Sequence, residues 1–425
     1  MKIWILNHYA TSMFYDKGGR HHSFAKYMIR MGYDVKLFCA STVHNSDVVV
    51  DTENKISIEK CGEDNVPYVF VKTRPYQGNS GTRILNMLDY YKNIKHVLND
   101  YKAKEGLPDI ILASSVHPLA LVVGIKVAKK FNIPCICEIR DLWPLTLVEL
   151  GIIKDKGIVT KLMYKGEHWI YKKADELIFT MPGGEKYIKD KNWDNNVCLK
   201  KVHNINNGVD LEKFNKDKER YIINDSDLDD DNIFKIIYAG SIRTANKIDE
   251  FISVAENLKK LEYDNVKIII YGDGDQRERL ESITKKLELD NIVFKGRVEK
   301  HFIPYILSKG DMNIVSDGSS GVGRYGISWN KIFEYMASGK PTIVNYNMGE
   351  YNFVEDYRFG YAREYKNIQE FCNDIISMIE MPSDEYKNYS DNAIKAAQIY
   401  DYKNLAEKLN GIIKNVIKQY KSNKI

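Results

Sequence analysis

What most constrains this chain is an alternation that hardly lapses along its length. A short apolar run ends in a small or glycine-rich turn, and an amphipathic helical stretch follows. "KIWILN" (2–7), "DVKLFCA" (34–40), "PDIILASS" (108–115) and "PCICEI" (134–139) read as strands. "RHHSFAKYMIRMG" (20–32), closed by Gly32, and "PLALVVGIKVAKKF" (118–131) read as helices. Strands that alternate with helices predict doubly wound α/β layers around parallel sheets. A second series holds the strands "FKIIYAGS" (234–241), "VKIIIYGDGD" (266–275), "NIVFKG" (291–296), "DMNIVS" (311–316) and "KPTIVNY" (340–346). Helices "IDEFISVAENLKKL" (248–261) and "QRERLESITKKL" (276–287) sit among them.

Two α/β domains therefore fit the 425 residues, one over 1–205 and one over 206–400. "YIINDSDLDDDN" (221–232), rich in Asp and Asn, reads as a surface linker. Residues 401–425 read as a final helix, with Leu405, Leu409, Ile412, Ile413, Val416, Ile417 and Tyr420 on one stripe that can pack back on the first domain. The 62 Lys and Arg against 58 Asp and Glu give a net charge of +4, which argues against a dedicated nucleic-acid binder. None of the six cysteines forms a C-x-x-C pair, so free buried thiols in a reducing compartment are expected. "MKIWILNHYA" turns polar too early for a signal peptide. The apolar run 110–125 is broken by Ser114, Ser115, His117 and Pro118 and does not read as a membrane span.

Open parallel sheets bind ligands beyond the carboxyl ends of their strands. Four such places carry suggestive residues. Gly18 and Gly19 follow the first strand and precede a helix, so they are either a plain turn or a place where backbone meets a phosphate or sugar. His117 follows "DIILASS" as a site-edge or a structural histidine. Glu138, Arg140 and Asp141 cluster in "EIRDLWP", either at a site or as an internal ion pair. In "YAGSIRTANK", Gly240 ends a strand and Arg243 and Lys247 follow. Two cations beside a glycine turn suit a diphosphate, or else are solvated surface charges.

A further feature of the second domain is "SWNKIFEYMASGKP" (328–341), a helix of about two turns ended by Gly339 and Pro341. Gly321, Gly323 and Gly326 precede it, and Glu334 stands among Ile332, Phe333, Met336 and Ala337. Free amides at the helix start, around Ser328, Trp329 and Asn330, could hold a phosphate, although Ser328 could instead cap them. A carboxylate accepts two hydrogen bonds well from a vicinal diol, so Glu334 suits a ribose; the alternative is a partner cation.

In this order, "GGRHHSFAKYMIRMGYDV", "EIRDLWP", "NNGVDLEKF", "YAGSIR", "YGDGDQRERL" and "NKIFEYMASGKP" resemble glycosyltransferase family 4, retaining nucleotide-sugar-dependent enzymes of the GT-B fold. The likeness runs from Met1 to about Asp401 and is greatest to bacterial enzymes of O-antigen and capsule assembly. It implies two Rossmann-like domains facing a cleft, the first binding the acceptor and the second the donor. Glu334 matches the second glutamate of the family's pair, which holds the ribose hydroxyls. Arg243 and Lys247 fall where the family meets the donor diphosphate, and Gly18 and Gly19 match the loop approaching it. His117 resembles a histidine near the donor sugar. Arg20, Glu138, Arg140 and Asp141 are acceptor-side candidates. The pair's first glutamate is replaced here by Gly326, which is compatible with an amino, deoxy or otherwise modified sugar.

The implied reaction moves a sugar from a nucleoside diphosphate, UDP by expectation, to a glycan or polyprenyl-diphosphate-linked acceptor. Neither "DGD" (273–275) nor "DSDLDDD" (225–231) is placed as a metal-binding D-x-D, so neither a metal nor any other cofactor is expected. The rivals are a nucleotide-sugar 2-epimerase of the same fold, a non-catalytic sugar-nucleotide-binding subunit and, disfavoured by the missing G-x-G-x-x-G fingerprint, an NAD-dependent oxidoreductase. Segment 153–173 carries six lysines and two acids beside Ile158, Val159, Leu162, Met163, Trp169, Ile170 and Tyr171. It reads either as an ordinary helix or as a basic amphipathic helix that docks a cytoplasmic protein on the inner membrane face.

Overall fold

The structure is a computed structural model that describes residues 1–78, 81–115, 117–318 and 321–422. It divides into two compact units, Met1–Asn206 with Tyr402–Ile425, and Asn207–Asp401.

The first unit is built on an eight-stranded sheet of β1 (Lys2–Leu6), β2 (Asp34–Ala40), β3 (Ser57–Cys61), β4 (Pro67–Val71), β5 (Ile110–Ser114), β6 (Cys135–Ile139), β7 (Glu176–Phe179) and β8 (Val202–Asn204). Their order is β3-β4-β2-β1-β5-β6-β7-β8, and only the edge pair β3–β4 is antiparallel. The interior strands are covered on both faces, so their residues are apolar in succession rather than alternately. The helix Tyr402–Ser422 lies against Arg20–Arg30, inserting Leu405, Leu409, Ile413 and Val416 into the core. Phe24 meets the Tyr402 ring edge-on at 5.6 Å, and Tyr33 Oη donates to Asn410 at 2.7 Å. Each of these aliphatic burials is worth about 1.5–3 kcal/mol, so the chain's last helix is part of its first unit energetically.

The second unit has six parallel strands: β9 (Phe234–Ala239), β10 (Val266–Tyr271), β11 (Ile292–Gly296), β12 (Met312–Ser316), β13 (Thr342–Asn345) and β14 (Gly360–Arg363). Their order is β11-β10-β9-β12-β13-β14, the Rossmann order. Strand succession reverses between β9 and β12 here and between β1 and β5 in the first unit. Those two points open the crevices where such sheets take ligands.

Two expectations need correction. The acidic stretch 221–232 is no linker, because it packs on its own unit. Asp225 caps a short helix, Ser226–Asp229, and Leu228 is buried. Asp225 and Asp227 each sit 2.6 Å from Lys295, and Asp227 sits 2.7 Å from Lys267. The aspartates thus answer lysines on β10 and β11. The cysteines are all free, but Cys61 and Cys198 are exposed. Among the described residues no helix is long and apolar enough to cross a membrane.

Candidate active site

In the second unit the loops after β9 and β12 are stitched together at the switch point. The Gly318 amide donates to the Ala245 carbonyl at 2.6 Å. Glu250 accepts from Ser316 Oγ at the end of β12 and from Asn345 Nδ2 at the end of β13, the latter at 2.7 Å. Its other oxygen lies 3.4 Å from Lys247 Nζ. Lys247 is thereby held in place, on a left-handed backbone with φ 44°. Arg243 is exposed in the same loop.

Glycines at these strand ends are dictated by backbone contact. A Cβ on Gly272 would stand 1.7 Å from the Gly240 carbonyl oxygen, and one on Gly274 2.1 Å from that of Ile242. "YGDGD" is therefore a turn packed against the β9 loop. Its glycines serve that packing.

The helix Asn330–Ser338 is oriented by Tyr335, whose hydroxyl accepts from the Ala239 amide at 2.9 Å. Ile332, Phe333, Tyr335 and Met336 bury one face, and Gly339, with φ 69°, ends the helix. Ser328 is not its cap. The Ser328 hydroxyl instead accepts from the Asn207 amide at 2.9 Å, and the cap position falls to Trp329 with no side-chain capping bond. Asn330 and Lys331 thus begin a helix whose first amides lack an intrahelical partner, while the Ile332 amide already donates to the Trp329 carbonyl at 3.2 Å. Glu334 is partly exposed, with Lys300 Nζ 3.9 Å away.

One residue of this helix escaped the sequence reading. Lys331 Nζ donates to Tyr238 Oη at 3.1 Å and lies over that ring, 4.6 Å from its centroid. It also lies 3.1 Å from where a Gly240 Cβ would be. Burial lowers its pKa to about 8 against the pull of Asp317 and Glu334. Burial also raises Asp317 to about 6, opposed by Lys331 and Lys247. The β9 switch point therefore presents a poorly solvated cation beside bare backbone and an uncapped helix start. Such a place favours an anion with several oxygens.

The first unit's switch point is chemically different. His8, after β1, and His117, after β5, are hydrogen-bonded, Nδ1 to Nε2, at 2.5 Å. Tyr9 and Tyr90 stack on His8 at 4.5 and 4.6 Å. Burial pushes His117 down to about 3 and His8 well below its ordinary value, so both rings are neutral. Nδ1 of His117 is buried without a hydrogen-bond partner. Gly18 is buried, and Gly19, with φ 108°, caps the helix Arg20–Arg30.

Arg20 and Glu138 bind each other. Arg20 Nη2 lies 2.7 Å from the Glu138 carboxylate, and its other donors reach the Ile205 and Asn206 carbonyls. Ser114 Oγ and His21 Nε2 complete the carboxylate, at 2.7 and 2.8 Å. Burial alone would raise the Glu138 pKa, but Arg20 and His21 hold it well below the usual range. Both side chains are fully enclosed, so the internal ion pair accounts for them and the acceptor-side assignment is withdrawn for this pair. Arg140 and Asp141 are left. The Arg140 amide donates to Ser115 Oγ at 2.9 Å, and its Nε is buried without a partner. Burial raises the Asp141 pKa against the opposing Arg140 and Arg83. Among the described residues no cluster of three His, Cys, Asp or Glu is placed to hold a metal ion.

Comparison with known proteins resolves the class. Residues 220–396 match the family model "Glycosyl transferases group 1", and residues 20–199 match "Glycosyl transferase 4-like domain". The chain carries two glycosyltransferase domains. In structure it is similar to sucrose-phosphate synthase from Thermosynechococcus elongatus, at 15% identity and TM-score 0.72 over 99% of this chain and 100% of that one. It is also similar to Anabaena HepE in complex with UDP and glucose, at 16% identity and TM-score 0.66 over 97% and 99%. WaaG, a glycosyltransferase involved in lipopolysaccharide biosynthesis, aligns at 13% identity and TM-score 0.60 over 97% and 99%. At these identities the likeness is one of fold, which is GT-B. No curated protein matches the chain. In this glycosyltransferase Gly326 has φ 84°. A side chain there would be strained.

Proposed function

We propose that this glycosyltransferase is a retaining enzyme that takes a nucleoside diphosphate sugar, UDP-linked, and transfers the sugar to a hydroxyl of a glycan or lipid-linked acceptor in surface polysaccharide assembly. The observation that carries this reading is Lys331, poorly solvated beside Gly240 at the β9 switch point and at the start of an uncapped helix. Backbone donors and a cation converge there as a diphosphate requires. In the proposed pose Arg243, Lys247 and Lys331 neutralise the two phosphates. Amides from Ser328 to Asn330 add donors, and Glu334 accepts from the ribose hydroxyls. The structurally similar HepE was solved in complex with UDP.

As the glycosidic bond to the diphosphate lengthens, negative charge grows on the leaving oxygen. Fixed cations and amides stabilise that charge with little reorganisation. Attack on the face the diphosphate leaves, with the phosphate taking the acceptor proton, keeps the anomeric configuration. In the first unit the neutral His117, its buried Nδ1 without a hydrogen-bond partner, is suited to pair with a hydroxyl.

A cytoplasmic protein that docks on the inner membrane face completes the reading. In the helix Ile158–Lys173, Ile158, Val159 and Leu162 are exposed beside Lys161 and Lys165. Apolar side chains ringed by lysines suit an anionic bilayer. Co-sedimentation with anionic vesicles that fades at high salt is expected; equal recovery on neutral vesicles contradicts electrostatic docking.

A thermal-shift screen against nucleotide sugars, followed by mass spectrometry of products with candidate acceptors, tests the activity. Stabilisation by a UDP-sugar and a product heavier by one sugar residue are expected. An isomerised nucleotide sugar would indicate epimerisation, and no stabilisation by any nucleotide would overturn the reading.

A further inference from the structure

Beside Asp141 the first unit contains a cavity of about 200 Å³ that the reaction above does not use. One wall is the start of the helix Pro118–Phe131, with Pro118, Leu119, Leu121 and Val122. The facing wall is the helix Ile158–Lys173, with Met163, Gly166, Glu167 and Ile170. These four residues fall at i, i+3, i+4 and i+7, one stripe of a helix. Ile139 and Trp143 close a third side, and Ser115 and Asp141 make the polar end.

Three observations point to a hydrocarbon occupant. The first is Gly166. A glycine inside a helix is unfavourable relative to alanine. Here a Cβ would meet no atom within 4 Å, so packing does not require the glycine. Gly166 is exposed, so its lack of a side chain keeps the mouth of the cavity open. The second is Glu167, the one acid on the helical wall. Both its oxygens accept tyrosine hydroxyls, from Tyr171 at 2.7 Å and Tyr187 at 2.8 Å. Burial raises its pKa to about 8, so the wall carries no charge at neutral pH. The third is a gradient. The stripe is half-buried at Met163 and exposed at Gly166, then buried at Glu167 and Ile170, so its mouth opens at the surface and its C-terminal end lies inside. A dry apolar cavity of about 150 Å³ accommodates benzene, so this one takes a short length of branched or straight chain.

We propose that this cavity is an acceptor subsite for the hydrocarbon end of an amphiphilic substrate, whose polar head lies toward Ser115 and Asp141. The inference rests on the glycosyl-transfer reading only in calling the ligand an acceptor. The chemistry recognised is an aliphatic chain, prenyl or acyl.

The test is calorimetric titration of the full chain with geranyl phosphate and decyl phosphate, with methyl glucoside and inorganic phosphate as chainless controls. UDP is titrated on the same samples. Gly166→Leu fills the cavity from one wall and Val122→Phe from the other, so a folding failure in one leaves the other to decide. Binding of at least one chained phosphate is expected, reduced tenfold or more by either substitution while UDP affinity stays within twofold. A preference for geranyl over decyl, or the reverse, identifies the chain type. No binding of either chain, equal binding by a folded filled variant, or equal competition by methyl glucoside or phosphate would overturn the proposal. Loss of UDP binding by the unmodified protein would instead overturn the nucleotide-sugar reading, and the chain titration would stand on its own.

Discussion

The two switch points share a topology and differ in nearly everything else. The first, between β1 and β5, is closed and neutral, built of two histidines and stacked tyrosines over a buried Arg20–Glu138 strut. The second, between β9 and β12, is bare backbone with lysines and carboxylates at incomplete neutralisation. The fold fixes where a ligand can sit, and the residues at the strand ends fix its charge. A neutral aromatic crevice suits sugar hydroxyls. A cationic one with free amides suits phosphates.

The contrast can be broken at several points. The largest expected effect is on stability. Glu138→Ala leaves the Arg20 guanidinium enclosed without its carboxylate, which should cost roughly 3–5 kcal/mol in denaturant unfolding. The folded carboxyl has its pKa held well below the usual value. Its contribution is therefore present at neutral pH and is lost as the pH falls through the acid range. An unfolding midpoint that does not move would mean the strut holds nothing. Next is Arg243→Ala, expected to lower kcat about 10²–10³-fold while leaving UDP affinity changed by less, because the charge it meets grows during bond cleavage. Turnover near that of the unmodified enzyme at saturating donor would remove Arg243 from the mechanism.

Lys331 gives the sharper pH signature. Burial holds its pKa near 8, so it is charged below that pH and neutral above it. UDP affinity should fall as the pH rises through and beyond about 8. Lys331→Met should flatten that dependence and cost about tenfold to a hundredfold at pH 7, as for one charged hydrogen bond. A steep dependence that survives in the variant would assign it to another group. The smallest effect concerns Gly326. Restoring the family's glutamate by Gly326→Glu places a side chain at φ 84°, at a cost of roughly 1–2 kcal/mol. No gain in donor affinity is expected; tighter donor binding with unchanged melting would show that the loop accepts the acid.

Much of this was legible in the sequence, for an identifiable reason. Interior parallel strands are apolar in near-unbroken succession, so β1, β2, β5, β6, β9, β10, β12 and β13 announce themselves, and the edge strand β11 does so by Ile292, Val293 and Phe294. The edge strand β3, with Glu59 and Lys60 exposed, carries no such run and was not seen. The helix Gly81–Glu105 was also missed. It exposes Ile84, Leu85 and Leu88, which blurs its apolar stripe. At the candidate site, residue types pointed to Gly240, Arg243 and Lys247 in a strand-end loop and to Glu334 on the helix Asn330–Ser338. Lys331 was missed because its desolvation comes from Tyr238, more than ninety residues earlier in the chain. Arg20 and Glu138 went the other way. Each looked available until the fold brought them together, 118 residues apart.

The central claim is that the second switch point, not the first, holds the nucleoside diphosphate. Amide hydrogen exchange of the full chain with and without saturating UDP tests it most directly. Slower exchange is predicted over residues 240–247 and 328–334, with 8–20 and 115–118 little changed. Protection confined to residues 1–206, or none at 240–247 and 328–334 under saturating UDP, would contradict the account.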